Sequence, residues 1–256
     1  MRRDPRAERQ ARPASATMET TSPSGRIRRD PRGDPRAPRN LMRIGTPPDL
    51  PAAKPAAPPI VIDNPACLIL AVPDLEDWRL SSHDLDLLGA ARLLADSGHG
   101  AVGQGAVIVF AASTSKEDFS LAGADRLVAP ELGAGYTPEN KTAAVLACIE
   151  ALNPRHVLFC ETPTGGGDIG RRVAAALGEA PAARVMRLSA NEAASRGNGG
   201  RSDYLRPPPR LLFIAAETAD PPLEAKREAR SLPAPIISTA TPRIEDRGIA
   251  ATDPNA

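Results

Sequence analysis

The sequence predicts an α/β domain of three layers, a mostly parallel sheet with helices on both faces. Short unbroken apolar runs alternate with amphipathic stretches, and helix start and stop signals fall between them. Aromatic residues make up only 3% of the chain, so Leu, Val, Ile and Ala must build the core. A strand covered on both faces reads as a continuous apolar run, and parallel neighbours need a crossover, usually a helix. Strand and helix in strict alternation therefore point to a doubly covered parallel sheet.

The first strand is "CLILAV" (67–72), bounded by Pro65 and Pro73. A helix follows in "SSHDLDLLGAARLLAD". Ser81 and Ser82 are N-cap candidates, Asp84 and Asp86 favour its positive end, and Leu87, Leu88, Ala91, Leu94 and Ala95 share one face. "GAVIVFAA" (105–112) is a second strand, a short helix is expected around 116–121, and "DRLVA" (125–129) is a third strand. Thr137-Pro138-Glu139 marks a helix start with a capping hydroxyl, and Pro154 stops that helix after a buried stripe of Val145, Cys148, Ile149 and Leu152. "HVLFC" (156–160) is the fourth strand; Ile169, Val173, Ala176 and Leu177 line the next helix, closed by Gly178. "ARVMRLS" and "RLLFIAA" are later strands, with room for an edge hairpin in the Gly-, Arg- and Pro-rich segment 191–209.

Charge divides the chain. Residues 1–60 hold thirteen Arg and Lys against six Asp and Glu, about +7, and the remainder nineteen against twenty-five, about −6. "RRDPR" occurs at 2–6 and again at 28–32, followed by "GDPR" at 33–36. Proline every few residues blocks helix and sheet, so 1–60 is expected to be a disordered basic arm. A solvated tail is the favoured reading of it, ahead of partner docking, with nucleic acid third. The body extends over 61–219. From 220 to 256 the pattern fades to one charged patch and Pro-punctuated chain, which reads as a linker or extended tail.

Cys67, Cys148 and Cys160 are odd in number, show no ligand spacing and sit in apolar runs, so each is expected to act as a small hydrophobe in a reduced, cytoplasmic setting. No apolar stretch reaches the 18 or so residues of a membrane span, and the Arg-rich N-terminus has no apolar region of the secretory kind. Few aromatic residues leave no stacking platform for single-stranded nucleic acid. His83, His99 and His156 lack Cys or His partners at ligand spacing, so metal chemistry and a Ser–His–Asp arrangement are not expected.

The candidate site is "CETPTGGGDIGRR" (160–172), a Gly-rich loop between a strand's carboxyl end and a helix. Ligands of open α/β sheets bind at such places, and helix N–H groups favour anions. Thr162, Gly165, Gly166, Gly167 and Asp168 are the nucleotide-loop candidates by position. The loop matches neither GxGxxG nor GxxxxGK[ST], has no lysine, and carries Asp168 where a phosphate would lie. The favoured reading is a structural turn with Asp168 as N-cap, holding the first-turn amides itself. Glu161 and Asp168 make a poor acid–base pair on so flexible a loop. Arg171 and Arg172 oppose the helix dipole and face either acidic groups of a neighbouring subunit or solvent.

The order of these pieces resembles the N-terminal domain of the α subunit (FixB type) of electron transfer flavoproteins. "LSSHDLDLLGAARLLAD", "AGADRLVAP" and "YTPENKTAAVLACIEALNPRHVLFCETPTGGGDIGRRVAAALG" carry the resemblance, which covers about 66–219. The turn Gly166-Gly167-Asp168 stands where the family has a Gly-Arg-Asp-type turn, and Arg201-Ser202-Asp203 lies where it has a Gly-rich hairpin. The resemblance implies a Rossmann-like fold of the adenine nucleotide α hydrolase type and a heterodimer with a homologous β subunit, whose corresponding loop binds AMP. It also implies electron transfer from flavin dehydrogenases to the respiratory chain. FAD is held there chiefly by a C-terminal domain of the α subunit, which is not expected in this chain. The arm is similar to that of a bacterial subgroup linked to oxidation of N-methylated amines. The expected role is therefore an electron carrier's docking and structural subunit, not an enzyme. A small adenine-nucleotide-binding module and a non-functional fragment remain the alternatives.

Overall fold

The elements follow one another along the chain as β1 (Leu68–Val72), α1 (Ser82–Asp96), β2 (Ala106–Phe110), β3 (Arg126–Val128), α2 (Pro138–Leu152), β4 (His156–Cys160), α3 (Gly166–Leu177), β5 (Ala182–Leu188), β6 (Ala193–Gly197), β7 (Ser202–Arg206), β8 (Leu211–Ile214) and β9 (Arg230–Leu232), so strand and helix alternate only from β3 to β5 and around α1. The structure, a computed structural model, describes residues 58–76, 78–97, 103–111, 115, 117–132, 137–222 and 225–237. The expected basic arm, His99, Lys116 and the end of the tail fall outside these residues, wholly or nearly so. The strands form one sheet in the order β7-β6-β5-β8-β4-β1-β2-β3-β9. Every pairing is parallel except β5–β6 and β6–β7, which make the antiparallel edge hairpin.

Strand periodicity splits the core cleanly. Ile69, Ala71, Val107, Val109, Leu158 and Ile214 face α1, which buries Leu87, Leu88, Ala91, Leu94 and Ala95 against them. Leu70, Val72, Ile108, Phe110, Val157, Phe159 and Phe213 face α2 and α3. The rings of Phe159 and Phe213 meet edge to face, with centroids 5.8 Å apart. Helices thus cover both faces, giving a three-layer α/β/α Rossmann-like sandwich.

Most local signals act as the sequence suggests. Ser81 caps α1 in a reciprocal capping box with Asp84. Asn153, in the left-handed region at φ 44, ends α2 ahead of Pro154, and Gly178 (φ 67) ends α3. Three expectations fail. Residues 119–123 form hydrogen-bonded turns rather than a short helix. The Thr137 hydroxyl does not cap α2 but donates to the Leu132 carbonyl at 3.3 Å. Ala176 is exposed, and Ala174 takes the buried place on α3.

One charged cluster lies inside the fold. Asp125, 3% exposed, accepts from Arg92 Nη1 at 2.6 Å, from Arg227 Nη1 at 2.7 Å and from the Val107 N–H at 2.8 Å. Arg92 also donates to the Gly105 carbonyl at 2.8 Å and pairs with Asp96 at 2.7 Å. The cluster clamps α1 and the entrance of β3 to the returning segment that becomes β9. A buried carboxylate removed from its cations leaves uncompensated charge, so Asp125→Ala should lower unfolding free energy by about 3–5 kcal/mol in urea titrations. Lys226→Ala breaks the exposed pair with Asp118 and should cost less than about 1 kcal/mol.

Candidate functional site

From β1 the chain moves to β2 on one side, while β4 returns to pair with β1 on the other. The crevice between the carboxyl ends of β1 and β4 is therefore the topological switch point, where ligands of such sheets bind. Two loops meet there: Pro73-Asp74-Leu75 after β1 and the segment 161–165 after β4.

The Gly-rich loop is occupied by the protein itself. Thr162 Oγ1 contacts Asp74 Oδ2 at 2.7 Å and the Thr164 carbonyl at 2.9 Å, and the Gly166 N–H is directed at the Asp74 carboxyl. Gly165 is the N-cap of α3 with φ 87, a backbone that favours glycine, and a Cβ there would stand 2.7 Å from Asp74 Oδ1. A Cβ on Gly167 would lie 1.9 Å from the Thr162 carbonyl oxygen. Glycine is thus demanded by the tight turn and by the approach of Asp74. The anion at the amino end of α3 is Asp74, delivered from another strand.

This corrects the reading of Asp168 as the N-cap. Asp168 is the third residue of α3 and pairs one turn on with Arg172 at 3.0 Å. Arg172 also reaches Glu139 at 3.8 Å, while Arg171 pairs with Glu161 and lies 5.4 Å from the centre of the Phe213 ring. Both arginines therefore have acidic partners within the chain. Glu161, held by Arg171 and the Arg184 N–H, is not paired with Asp168 as an acid–base couple. Thr162, Gly165, Gly166 and Gly167 gather at the crevice; Asp168 is engaged along the helix.

Behind Asp74 lies Asp84, fully buried, which accepts from the Asp74 N–H at 2.7 Å and from the Cys160 thiol at 3.4 Å. Lys141 on α2 is partly buried and acts electrostatically on Asp74, Asp84 and Cys160; its burial holds its ammonium below the usual range. The crevice thus combines two carboxyl groups with one amine. A nucleotide phosphate at this position would meet the Asp74 carboxyl, so these residues, as arranged, do not fit one. Asp74 and Lys141 were not among the sequence candidates. An Asp after Pro73 and a Lys in an early helical turn look like ordinary surface residues until the sheet order joins them.

The remaining candidates are structural. His83 Nε2 donates to the Ile214 carbonyl at 2.7 Å, tying α1 to β8, and His156 Nδ1 donates to that of Pro209 at 2.8 Å. The cysteines are free thiols. Burial pushes the Cys148 thiol up to about 12, and burial reinforced by Asp84 and Asp74 pushes Cys160 up as well. Such thiols behave as small apolar groups rather than nucleophiles. Among the described residues no cluster of three His, Cys, Asp or Glu could hold a metal, and no helix is long and apolar enough to cross a membrane.

Burial pushes the Asp74 carboxyl above its ordinary range, partly opposed by the Thr162 hydroxyl, Lys141 and the Gly166 N–H. A raised folded-state pKa means the folded protein holds this proton more tightly than the unfolded chain. That contribution is complete below the unfolded value and is lost as pH rises through the folded one. Asp74→Asn removes the titration, so its melting temperature should match the parent's in acid and exceed it increasingly toward neutral pH. Thermal melts across that range test this. A deficit at neutral pH would instead show that the Asp74 charge stabilises α3.

The chain matches the electron transfer flavoprotein domain family over residues 69–243. It is 38% identical over 262 aligned residues to the electron transfer flavoprotein subunit alpha of Chromohalobacter salexigens, covering 93% of this chain and 61% of that protein. The match runs from within β1 past β9 and so takes in the whole crevice. The chain belongs to the electron transfer flavoprotein domain family.

Proposed function

We propose that this chain acts as an electron transfer flavoprotein α subunit of the FixB type, in which residues 61–219 are the domain that docks on a β subunit. The observation that carries the reading is the family match across nearly the whole sheet. The crevice supports a docking role over a ligand-processing one, because Thr162 and the Asp74 N–H are engaged within the chain. In the complete complex FAD carries the electrons, taken from a flavin dehydrogenase and passed to the respiratory chain, and the chain is a carrier component rather than an enzyme. The setting is the cytoplasm of a bacterium, the donor is a dehydrogenase of N-methylated amines, and AMP belongs to the β subunit. The chain spans 61% of the length of the relative it matches, so the whole assembly's activity is part of this proposal.

Co-expression with the β subunit encoded in the same genome tests it. The two chains should co-purify in equal amounts, with flavin absorbance. Failure of the purified chains to associate would overturn the reading.

The switch-point location favours a second reading, an adenine-nucleotide-binding module using Thr162, Gly165, Gly166, Gly167 and Asp168. It requires Asp74 to leave the amino end of α3. Calorimetric titration with AMP should give no heat at millimolar nucleotide; saturable heat, abolished by Gly167→Ala, would establish this reading instead.

A further inference from the structure

The sheet ends at β7 on the side away from β9, and the outer ladder of β7 is open. Its five residues pair with β6 in unbroken register, and among the described residues no backbone group of 202–206 bonds to anything else. Free N–H and C=O groups at an edge template further pairing, so edges are usually short, bulged or charged. β9, at the other edge, has only three residues, and its Arg230 is paired with Glu228 and Asp63. β7 is longer, regular and flanked by apolar groups. Tyr204 is 61% exposed and Leu205 55%, on opposite faces of the strand. The Tyr204 ring is seated over Gly197 of β6, where a Cβ would collide with it, which reduces the entropy lost when a partner covers it.

The hairpin is also a basic patch on an acidic body. Residues 182–206 hold five arginines against two acids, +3, whereas 61–256 as a whole is about −6. Arg196 pairs with Asp203 at 3.0 Å and Arg187 with Glu192 at 3.8 Å. The side chains of Arg201, which immediately precedes β7, and Arg206, which ends it, make no hydrogen bond or ion pair among the described residues. A second copy pairing through β7 would bring two such positive patches together, which is unfavourable. Tyr204 is the one aromatic residue of the hairpin, so nucleic acid finds no series of stacking surfaces. An acidic extended strand satisfies the open ladder and both arginines at once.

We propose that β7 is where the β subunit docks, by adding an acidic strand of its own to this edge, with Arg201 and Arg206 as the charge partners that set its register. The inference rests on the α-subunit reading above and adds the place and the chemistry of the contact. A competing reason for the two arginines is protection, since charge on an edge strand discourages pairing. That role predicts self-association when they are removed and no loss of partner binding, so the two are separable.

Hydrogen exchange of the full chain, alone and with the β subunit encoded in the same genome, reads the ladder directly. Alternate residues turn their N–H outward, so alternate amides within 202–206 should slow at least about tenfold in the complex. Arg201→Glu with Arg206→Glu should weaken association at least about a hundredfold, with the melt of the free chain unchanged. That loss should shrink as salt is raised. Arg79→Glu, the same reversal on the exposed loop after β1, should leave association unaltered. If the parent chain does not associate, the α-subunit reading falls and this inference with it. If it associates while the 202–206 amides exchange as in the free chain, this inference alone is overturned. The same follows if the double variant binds as the parent does, or if Arg79→Glu weakens binding equally.

Discussion

The buried carboxylate of Asp84 organises the whole carboxyl side of the sheet. Besides the Asp74 N–H and the Cys160 thiol, it accepts from the Leu75 N–H at 3.2 Å and from the N–H and hydroxyl of Ser81 at 3.0 and 2.9 Å. A charge withdrawn from water survives only if donors replace its hydration, and here the donors come from its own helix cap and the loop before it. The cap that starts α1 therefore also folds that loop. Leu75 and Trp78 take left-handed backbone at φ 59 and 65, a cost that the Asp84 hydrogen bonds help offset. The loop's shape then sends Asp74 onto the amino end of α3.

Asp125 plays the corresponding part at the other pole. Its side chain binds Arg92 and Arg227, and its carbonyl accepts from the Arg230 N–H at 3.0 Å, so one residue fixes α1, β3 and β9 together. β9 covers the outer ladder of β3, and Ile60 in turn bridges to Arg227. An open edge strand invites unwanted pairing, and sequence-distant segments close this one. A core low in aromatics is thus pinned at both ends by enclosed carboxylates whose donors come from separate segments.

This division also marks where the sequence was legible. Apolar runs fixed β1, β2, β4 and β8, and the Leu87-to-Ala95 stripe fixed the inward face of α1, because burial on both faces leaves a strong periodic signal. β9 was missed: three residues, Arg-Ser-Leu, recruited by the Arg227 and Arg230 contacts to Asp125, carry no periodicity. At the site the loop's position was legible, since strand, glycines and helix are consecutive. Its electrostatics were not. Asp168 looked like the anion because it is local, whereas Asp74 lies 88 residues from its partner Thr162 and meets it only through the crossover of β1 and β4.

The crevice is held largely by contacts within the chain. Thr162 and the amino end of α3 are turned toward Asp74, the Cys160 thiol toward Asp84, and His83 and His156 each donate to a backbone carbonyl. Asp74 Oδ1, enclosed and short of a well-formed hydrogen bond, is the exception. In the docking role proposed above, the domain's contribution is geometric: a sheet pinned at both poles fixes the separation and orientation of what binds its surface. Clamping through Asp84 and Asp125 serves that role, since each ties segments distant in sequence to the one sheet.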